Sequence, residues 1–212
     1  METNNENFLF YGNLNLSEKK EVARLLKSYE VIFNHFVGDE FLYPNISMSG
    51  EEIKVLKRKV EEQSVNPKEE YIEQDVNLFK YLSSESEKLN INTGENARAL
   101  FIIKEKINPL ILALKQYWNR ARPYQYAYYV GADFNPLKTK SSHNPSYPSG
   151  HTIQAMCWAK ILAKQYPELK DELIIIAKNI SEGRMAMGVH FASDIQFGVS
   201  VADYLEFKHL LV

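Results

Sequence analysis

Apolar residues recur at three-to-four spacing through most of this chain, and little interrupts them. There are nine glycines and eight prolines in 212 residues, about 8% where average usage gives about 12%. A chain so poor in turn formers, with no alternating strand pattern, is confined to helices packed side by side. Val22, Leu25, Leu26, Tyr29, Ile32, Phe33 and Phe36 make one stripe, with Ser17 as its expected cap and Gly38 as its stop. A loop over 39–50 then leads to a short charged helix over 51–62. Asn66-Pro67 has the form of a cap followed by a first-turn proline. It opens a helix whose stripe is Tyr71, Ile72, Val76, Leu78, Phe79 and Leu82. Further helices are expected over 93–103, 110–121, 151–166, 169–187 and 194–209. Residues 122–147 hold Pro123, Pro136 and Pro145. Such a structureless length within a compact domain is usually functional or mobile. The expectation is an all-α fold, one compact helical bundle over 1–212, with its chemistry at helix ends in the C-terminal half.

Composition narrows the function classes. Lys and Arg total 25 against 27 for Asp and Glu, a net charge of -2, which excludes nucleic acid as the main partner. Hydrophobic residues at 45% and charged residues at 25% exclude disorder over most of the length. The single Cys157, beside Met156 and Trp158, cannot close an intrachain disulfide and reads as a buried thiol. Residues 1–15 lack the basic start and apolar core of a signal peptide. Apolar runs such as Pro109–Leu114 and Leu173–Ala177 fall short of the roughly 18 residues a bilayer span requires. These features predict a soluble, intracellular protein. The mixed charges from Glu51 to Glu62 read as a solvated helix face.

Three strings stand apart. In Lys115-Gln-Tyr-Trp-Asn-Arg-Ala-Arg122-Pro123 a separation of seven, about two helical turns, puts Lys115 and Arg122 on one face where both could meet one anion. Pro123 would end that helix, although basic pairs at this spacing are ordinarily just solvated. In Ser146-Tyr-Pro-Ser149-Gly150-His151-Thr152 the turn lies immediately before an apolar helix. Free N–H groups at the positive end of that helix, with Gly150 allowing close approach, form an anion cradle. His151 stands at its rim as a proton donor. Ser149 fits equally well as a simple helix cap. In Gly183-Arg184-Met-Ala-Met-Gly188-Val-His190-Phe-Ala-Ser-Asp194 a carboxylate four residues after a histidine can hold one ring nitrogen while the other faces a substrate. Arg184 adds a planar fork of donors suited to phosphate. The alternative there is a satisfied structural histidine.

Taken together, these strings resemble the three signature motifs of the type 2 phosphatidic acid phosphatase superfamily, over about residues 109–205. SYPSGHT and GVHFASD look most like the class A bacterial acid phosphatases. Two departures are visible: Gly183 stands where the family usually has Ser, and the expected export signal is missing. Residues 1–100 carry no family motif and are assigned to helical packing.

The resemblance implies a metal-independent phosphomonoesterase of broad, acid-phosphatase-like specificity acting on a small phosphorylated substrate. His190 would attack phosphorus, Asp194 would orient it, and His151 would protonate the leaving alcohol. Lys115, Arg122, Ser149, Gly150 and Arg184 would hold the phosphate oxygens. No cofactor is implied, and no cluster of metal-ligand spacing is present in the sequence; vanadate is expected as an inhibitor. The same superfamily includes vanadium haloperoxidases, in which the equivalent histidine binds vanadate as cofactor. A phosphatase of lipid phosphates or pyrophosphate, and a non-catalytic helical interaction protein, are the other readings. Tyr117, Tyr124, Tyr126, Tyr128, Tyr129 and Tyr147 cluster near the motifs, either as packing or as a stacking surface for an aromatic leaving group.

Overall fold

The computed structural model describes residues 11–12, 15–37, 46–66, 68–208 and 211, and these form helices and no strands. The first half contributes α1 (Leu16–Ser28), α2 (Glu30–Val37), α3 (Ile46–Val65), α4 (Glu69–Val76), α5 (Leu78–Lys88) and α6 (Thr93–Ile102). A π-helical turn, Ile103–Ile107, carries α6 directly into α7 (Asn108–Trp118). After α8 (Pro123–Tyr129) and an irregular stretch come α9 (Gly150–Gln165), α10 (Lys170–Ala186) and α11 (Ala192–Phe207).

The centre of the bundle is α9, which packs along α10 and also meets α11, α6 and α7. Its residues are apolar on nearly every side, so Ile153, Met156, Trp158, Ala159 and Leu162 are all buried. They pack with Leu110 and Leu114 of α7, Leu173 and Ala177 of α10 and Val201 and Leu205 of α11. Each large side chain withdrawn from water in this way contributes about 1.5–3 kcal/mol. The one polar group of Trp158 is satisfied, its indole N–H donating to Asn96 Oδ1 at 2.9 Å. Cys157 lies in the same core, fully buried, and burial pushes its thiol above the ordinary range. No helix among the described residues is long and apolar enough to cross a membrane.

Several boundaries differ from the sequence-based expectation. The stripe from Val22 to Phe36 is divided at Tyr29 into α1 and α2, where the Tyr29 hydroxyl reaches across to the Lys106 carbonyl at 3.1 Å. Ser17 lies inside the first turn of α1, not at its cap; Gly38 and the expected loop over 39–45 are outside the described residues. Residues Ile46–Gly50 already belong to α3, which therefore runs longer than 51–62. The stripe from Tyr71 to Leu82 is broken at Asn77, whose side chain accepts from the Lys80 N–H at 3.0 Å and caps α5. This is the local competition with helical bonding that asparagine offers. Pro67 is outside the described residues, and Lys68 occupies the cap position of α4.

The most consequential difference is at the first string. Asn119 adopts a left-handed conformation, φ +45°, and ends α7 there. Lys115 is therefore helical while Arg122 is extended, and Pro123 starts α8 instead of stopping a helix. The stretch 122–147 is thus partly helical. The three C-terminal helices fall within two residues of their expected limits.

Candidate active site

The chain from Arg120 to Arg122 and the segment before α9 are stitched together. The Ser146 N–H donates to the Arg120 carbonyl at 2.9 Å, and its hydroxyl donates to that of Ala121 at 3.0 Å. This brings the end of α7, the start of α9 and the turn between α10 and α11 around one cleft of about 310 Å³. Lys115, Arg122, Gly150, His151 and His190 line it, joined by Ser141, Asn144, Asn108 and Gln154. Ser149, Arg184 and Asp194 lie buried beside these residues.

His190 is held from both sides. Nδ1 lies 3.1 Å from Asp194 Oδ2, and Nε2 lies 3.0 Å from Arg122 Nη1. A carboxylate accepts and a guanidinium donates, so the geometry fits a neutral imidazole with its proton on Nδ1 and its lone pair on Nε2. Asp194 is the third residue of α11 and also accepts from the Phe191 N–H at 2.9 Å, closing the first turn of that helix. A carboxylate at this positive helix end is doubly favoured.

The cations are held mostly by neutral oxygens. Lys115 Nζ donates to the Pro145 carbonyl at 2.5 Å. Arg122 donates to the carbonyls of Val189 and Asn144, both at 2.7 Å, and to Asn144 Oδ1 at 2.9 Å. Arg184 is instead paired with Asp75 of α4 at 2.8 Å and donates to Ser141 Oγ at 2.8 Å. Burial pushes Lys115 well below its ordinary range, with the Arg122 charge adding to the effect. It brings Arg122 down to about 10. His151 and His190 are both driven well below the ordinary imidazole range, first by burial and then by the surrounding cations. Burial also acts to raise the Asp75 carboxyl, but Ser141, the Lys140 N–H and Arg184 outweigh it and leave Asp75 below its usual range.

At the α9 terminus, Ser149 occupies the cap position. Its Oγ accepts from the Thr152 N–H at 3.4 Å and from the Thr152 hydroxyl at 3.0 Å. A Cβ on Gly150 would stand a tight 3.3 Å from Ile111 Cγ2 and in ordinary contact, 3.6 Å, with Lys115 Cε, so the glycine lets α7 and its lysine approach the start of α9 closely. Among the described residues, no group of three or more His, Cys, Asp and Glu side chains is placed to hold a metal ion.

Residues 101–205 match the model of the PAP2 superfamily. The chain belongs to the PAP2 superfamily. Two curated relatives are non-specific acid phosphatases. That of Providencia stuartii is 34% identical over 89 residues, 42% of this chain and 35% of that protein. That of Salmonella typhimurium is 32% identical over 87 residues, 40% and 33% of the two chains. The matched part thus spans about a third of the length of these relatives. Among solved structures, a bacterial vanadium-dependent iodoperoxidase aligns at TM-score 0.47 and 16% identity, covering 95% of this chain and 51% of that one. A transmembrane PAP2 type phosphatidylglycerolphosphate phosphatase from Bacillus subtilis aligns at 0.43 and 18%, covering 91% and 97%. At these scores neither likeness carries an argument about chemistry.

The PAP2 segment does not build this site alone. Asp75, Glu52 and Ser49, all from the first half, reach Arg184 or Arg120. Sequence reasoning assigned that half to packing and Glu52 to a solvated face. Most of that face is indeed exposed, but Glu52 turns inward. Arg120, also missed, carried one available signal: a third basic residue two positions before Arg122. Of the tyrosines, Tyr126 and Tyr147 are buried packing, Tyr147 stacking on Phe197 at 4.5 Å. Tyr124, Tyr128 and Tyr129 line a separate open hollow.

Gly183, the departure from the PAP2 pattern, has a steric cause. A Cβ there would stand 2.7 Å from Tyr71 Cδ1 and 2.8 Å from Gln74 Oε1, and the Tyr71 ring is itself buried. Gly183→Ser is therefore expected to destabilise the fold by about 1–3 kcal/mol, the usual range for overpacking. Urea denaturation checks this, and an unchanged midpoint would mean that α4 yields freely.

Proposed function

We propose that this chain is a phosphohydrolase that transfers the phosphoryl group of a monoester to His190 and from there to water. The observation that carries this reading is the His190 ring, with Nδ1 turned to Asp194 and Nε2 beside Arg122 at the cleft. Substrate oxygens displace the Arg122 donor from Nε2 and take it over, freeing the lone pair for in-line attack. The P–N bond forms as the P–O bond to the alcohol breaks, and protonated His151 delivers its proton to the departing oxygen. His151 then takes a proton from water as water attacks the phosphohistidine, releasing orthophosphate. Lys115, Arg122 and Arg184, with the Ser149 hydroxyl and the Gly150 N–H, stabilise the equatorial oxygens. Fixed donors of this kind are each worth about 3 kcal/mol in a transition state. These cations fill the role that a divalent ion has in other phosphoryl transferases.

The test is a rapid-quench reaction with a ³²P-labelled aryl phosphate in excess chelator. Acid-labile, base-stable label on the chain, absent in His190→Ala, supports the reading. No label at any time, or turnover restored only by added magnesium or zinc, overturns it.

A second expectation comes from the electrostatics. Lys115 and Arg122 bond to oxygens that are all neutral, so an oxyanion supplies the missing counter-charge. Orthophosphate at 100 times its dissociation constant should stabilise the fold by about 2.7 kcal/mol. Both histidines have depressed pKa values in the free protein, and a bound anion raises them, so binding takes up protons. Affinity should therefore increase as pH falls toward the ordinary imidazole range. Calorimetry in two buffers of different ionisation enthalpy measures that uptake; proton release would contradict it.

A further inference from the structure

Asp194 is gripped at both oxygens. Oδ2 serves His190 and the Phe191 N–H, while Oδ1 accepts from Arg120 Nη1 at 2.5 Å. Arg120 is in turn held by groups from a distant part of the chain. Its Nη2 donates to Ser49 Oγ at 2.7 Å and to Glu52 Oε2 at 2.9 Å, both on α3, and Nη1 also reaches Ser193 Oγ at 2.8 Å. The guanidinium lies 4.0 Å from the Phe191 ring centroid and is 2% exposed. Glu52 makes a second connection: its Oε1 accepts from the Ser193 N–H at 2.6 Å and its Oε2 from the Ser193 hydroxyl at 2.9 Å. Through it α3 is latched to the first turn of α11, the turn that carries Asp194.

We propose that Arg120 is a positioning residue for His190, and that Glu52 of α3 sets the strength of its action. Arg120 fixes the Asp194 carboxylate with Oδ2 toward Nδ1 and draws part of its negative charge away from the imidazole. A guanidinium keeps its charge at every working pH, so this pull is permanent. Glu52, sharing the same guanidinium, opposes it. The series Glu52, Arg120, Asp194, His190 therefore alternates in sign across two halves of the chain, and the basicity of the ring depends on a helix outside the PAP2 segment.

Other charged or titratable groups act on His190: Lys115 of α7, Arg122 before α8, His151 of α9, Arg184 of α10 and Asp194 itself. All of them are unchanged in the variants below, so differences between variants isolate the Arg120 and Glu52 contributions. The consequence for turnover rests on the phosphohistidine reading; the titration of the ring does not.

The experiment uses the full chain and the variants Arg120→Met, Arg120→Lys and Glu52→Gln, each checked for helical content by circular dichroism. The acid limb of kcat/KM for p-nitrophenyl phosphate and the ¹⁵N imidazole titration of His190 in ligand-free protein are the two readouts. Arg120→Met should move the limb upward by about one pH unit, the scale of a removed neighbouring charge. Glu52→Gln should move it downward by less. Arg120→Lys, keeping the charge but losing the fork, should leave the limb in place and lower kcat with little change in KM. If Arg120→Met does not fold, the other two variants still carry the test. A limb unmoved in every folded variant, or moved in the same direction by Arg120→Met and Glu52→Gln, overturns the proposal. If the wild type does not hydrolyse the ester, the phosphatase reading fails and the imidazole titration alone decides, by the same signs.

Discussion

His190→Ala should lose turnover of every phosphomonoester by about 10⁴-fold or more, with the fold intact. The size follows from the role: a nucleophile that acts as one unit with its orienting carboxylate takes most of the catalysis with it when removed. The remaining Lys115, Arg122 and Arg184 would still bind the ester, so KM should change far less than kcat. Vanadate supplies the second half of the test. Bonded to Nε2 it copies the five-coordinate transition state and should inhibit the wild type far more tightly than orthophosphate. In the alanine variant that advantage should collapse to the level of a simple oxyanion. Steady-state assays with and without vanadate measure both effects, and wild-type turnover in the variant would remove His190 from the centre of the mechanism.

His151→Asn separates the two imidazoles by leaving group. The nucleophile and the phosphate clamp persist, so what is lost is protonation of the departing oxygen. An alkyl phosphate should slow by about 10²–10⁴-fold in the first chemical step, the usual worth of a positioned acid. p-Nitrophenyl phosphate, whose phenolate leaves unaided, should slow by less than about tenfold in that step. The measurement must be a single turnover, because the proposed mechanism also has His151 assist the later attack of water. Equal slowing of both esters would make His151 a binding residue. Burial and the surrounding cations disfavour the charged form of both rings in the free cleft, so the proton on His151 is expected to arrive with the anionic substrate. His190 must stay unprotonated while His151 carries that proton, so a bell-shaped rate profile is expected, and a rate that climbs steadily to about pH 9 would count against the pairing.

What could be read from the sequence was whatever depends on neighbours in the chain. The limits of α9, α10 and α11 were clear because long apolar faces and the Ser149 cap are local signals. The convergence of Lys115 and Arg122 was anticipated from an unbroken helix, yet the structure achieves it with a left-handed Asn119 and an extended turn. Asparagine at a helix end and asparagine on a helix surface look alike until tertiary contacts choose between them. The same ambiguity hid the break at Asn77, while the break at Tyr29 goes with a contact to Lys106, 77 positions away. Arg120, Glu52 and Asp75 were not legible for a different reason. Their partners lie 65 or more positions away, and nothing near Glu52 distinguishes it from the seven other charged residues between Glu51 and Glu62. Gly183 could be noticed as a departure but not explained, since its cause is the ring of Tyr71 on another helix.

The ion pair between Asp75 and Arg184 bears on what counts as a unit in this protein. Each side chain is all but removed from solvent, and deleting one partner of such a pair costs about 3–5 kcal/mol because the other stays charged and buried. A fragment cut to residues 101–205 would lose Asp75 from Arg184 and Glu52 with Ser49 from Arg120, along with the helices that shield both arginines. With those helices gone the arginines would face water, so what the fragment loses is the fixed orientation that Asp75 gives Arg184 and that Glu52 and Ser49 give Arg120. The stretch over which kinship can be recognised is therefore shorter than the set of residues that hold Arg120 and Arg184, and a chain cut at the edge of the recognisable sequence would carry every motif but none of the Asp75, Glu52 and Ser49 contacts that hold those arginines.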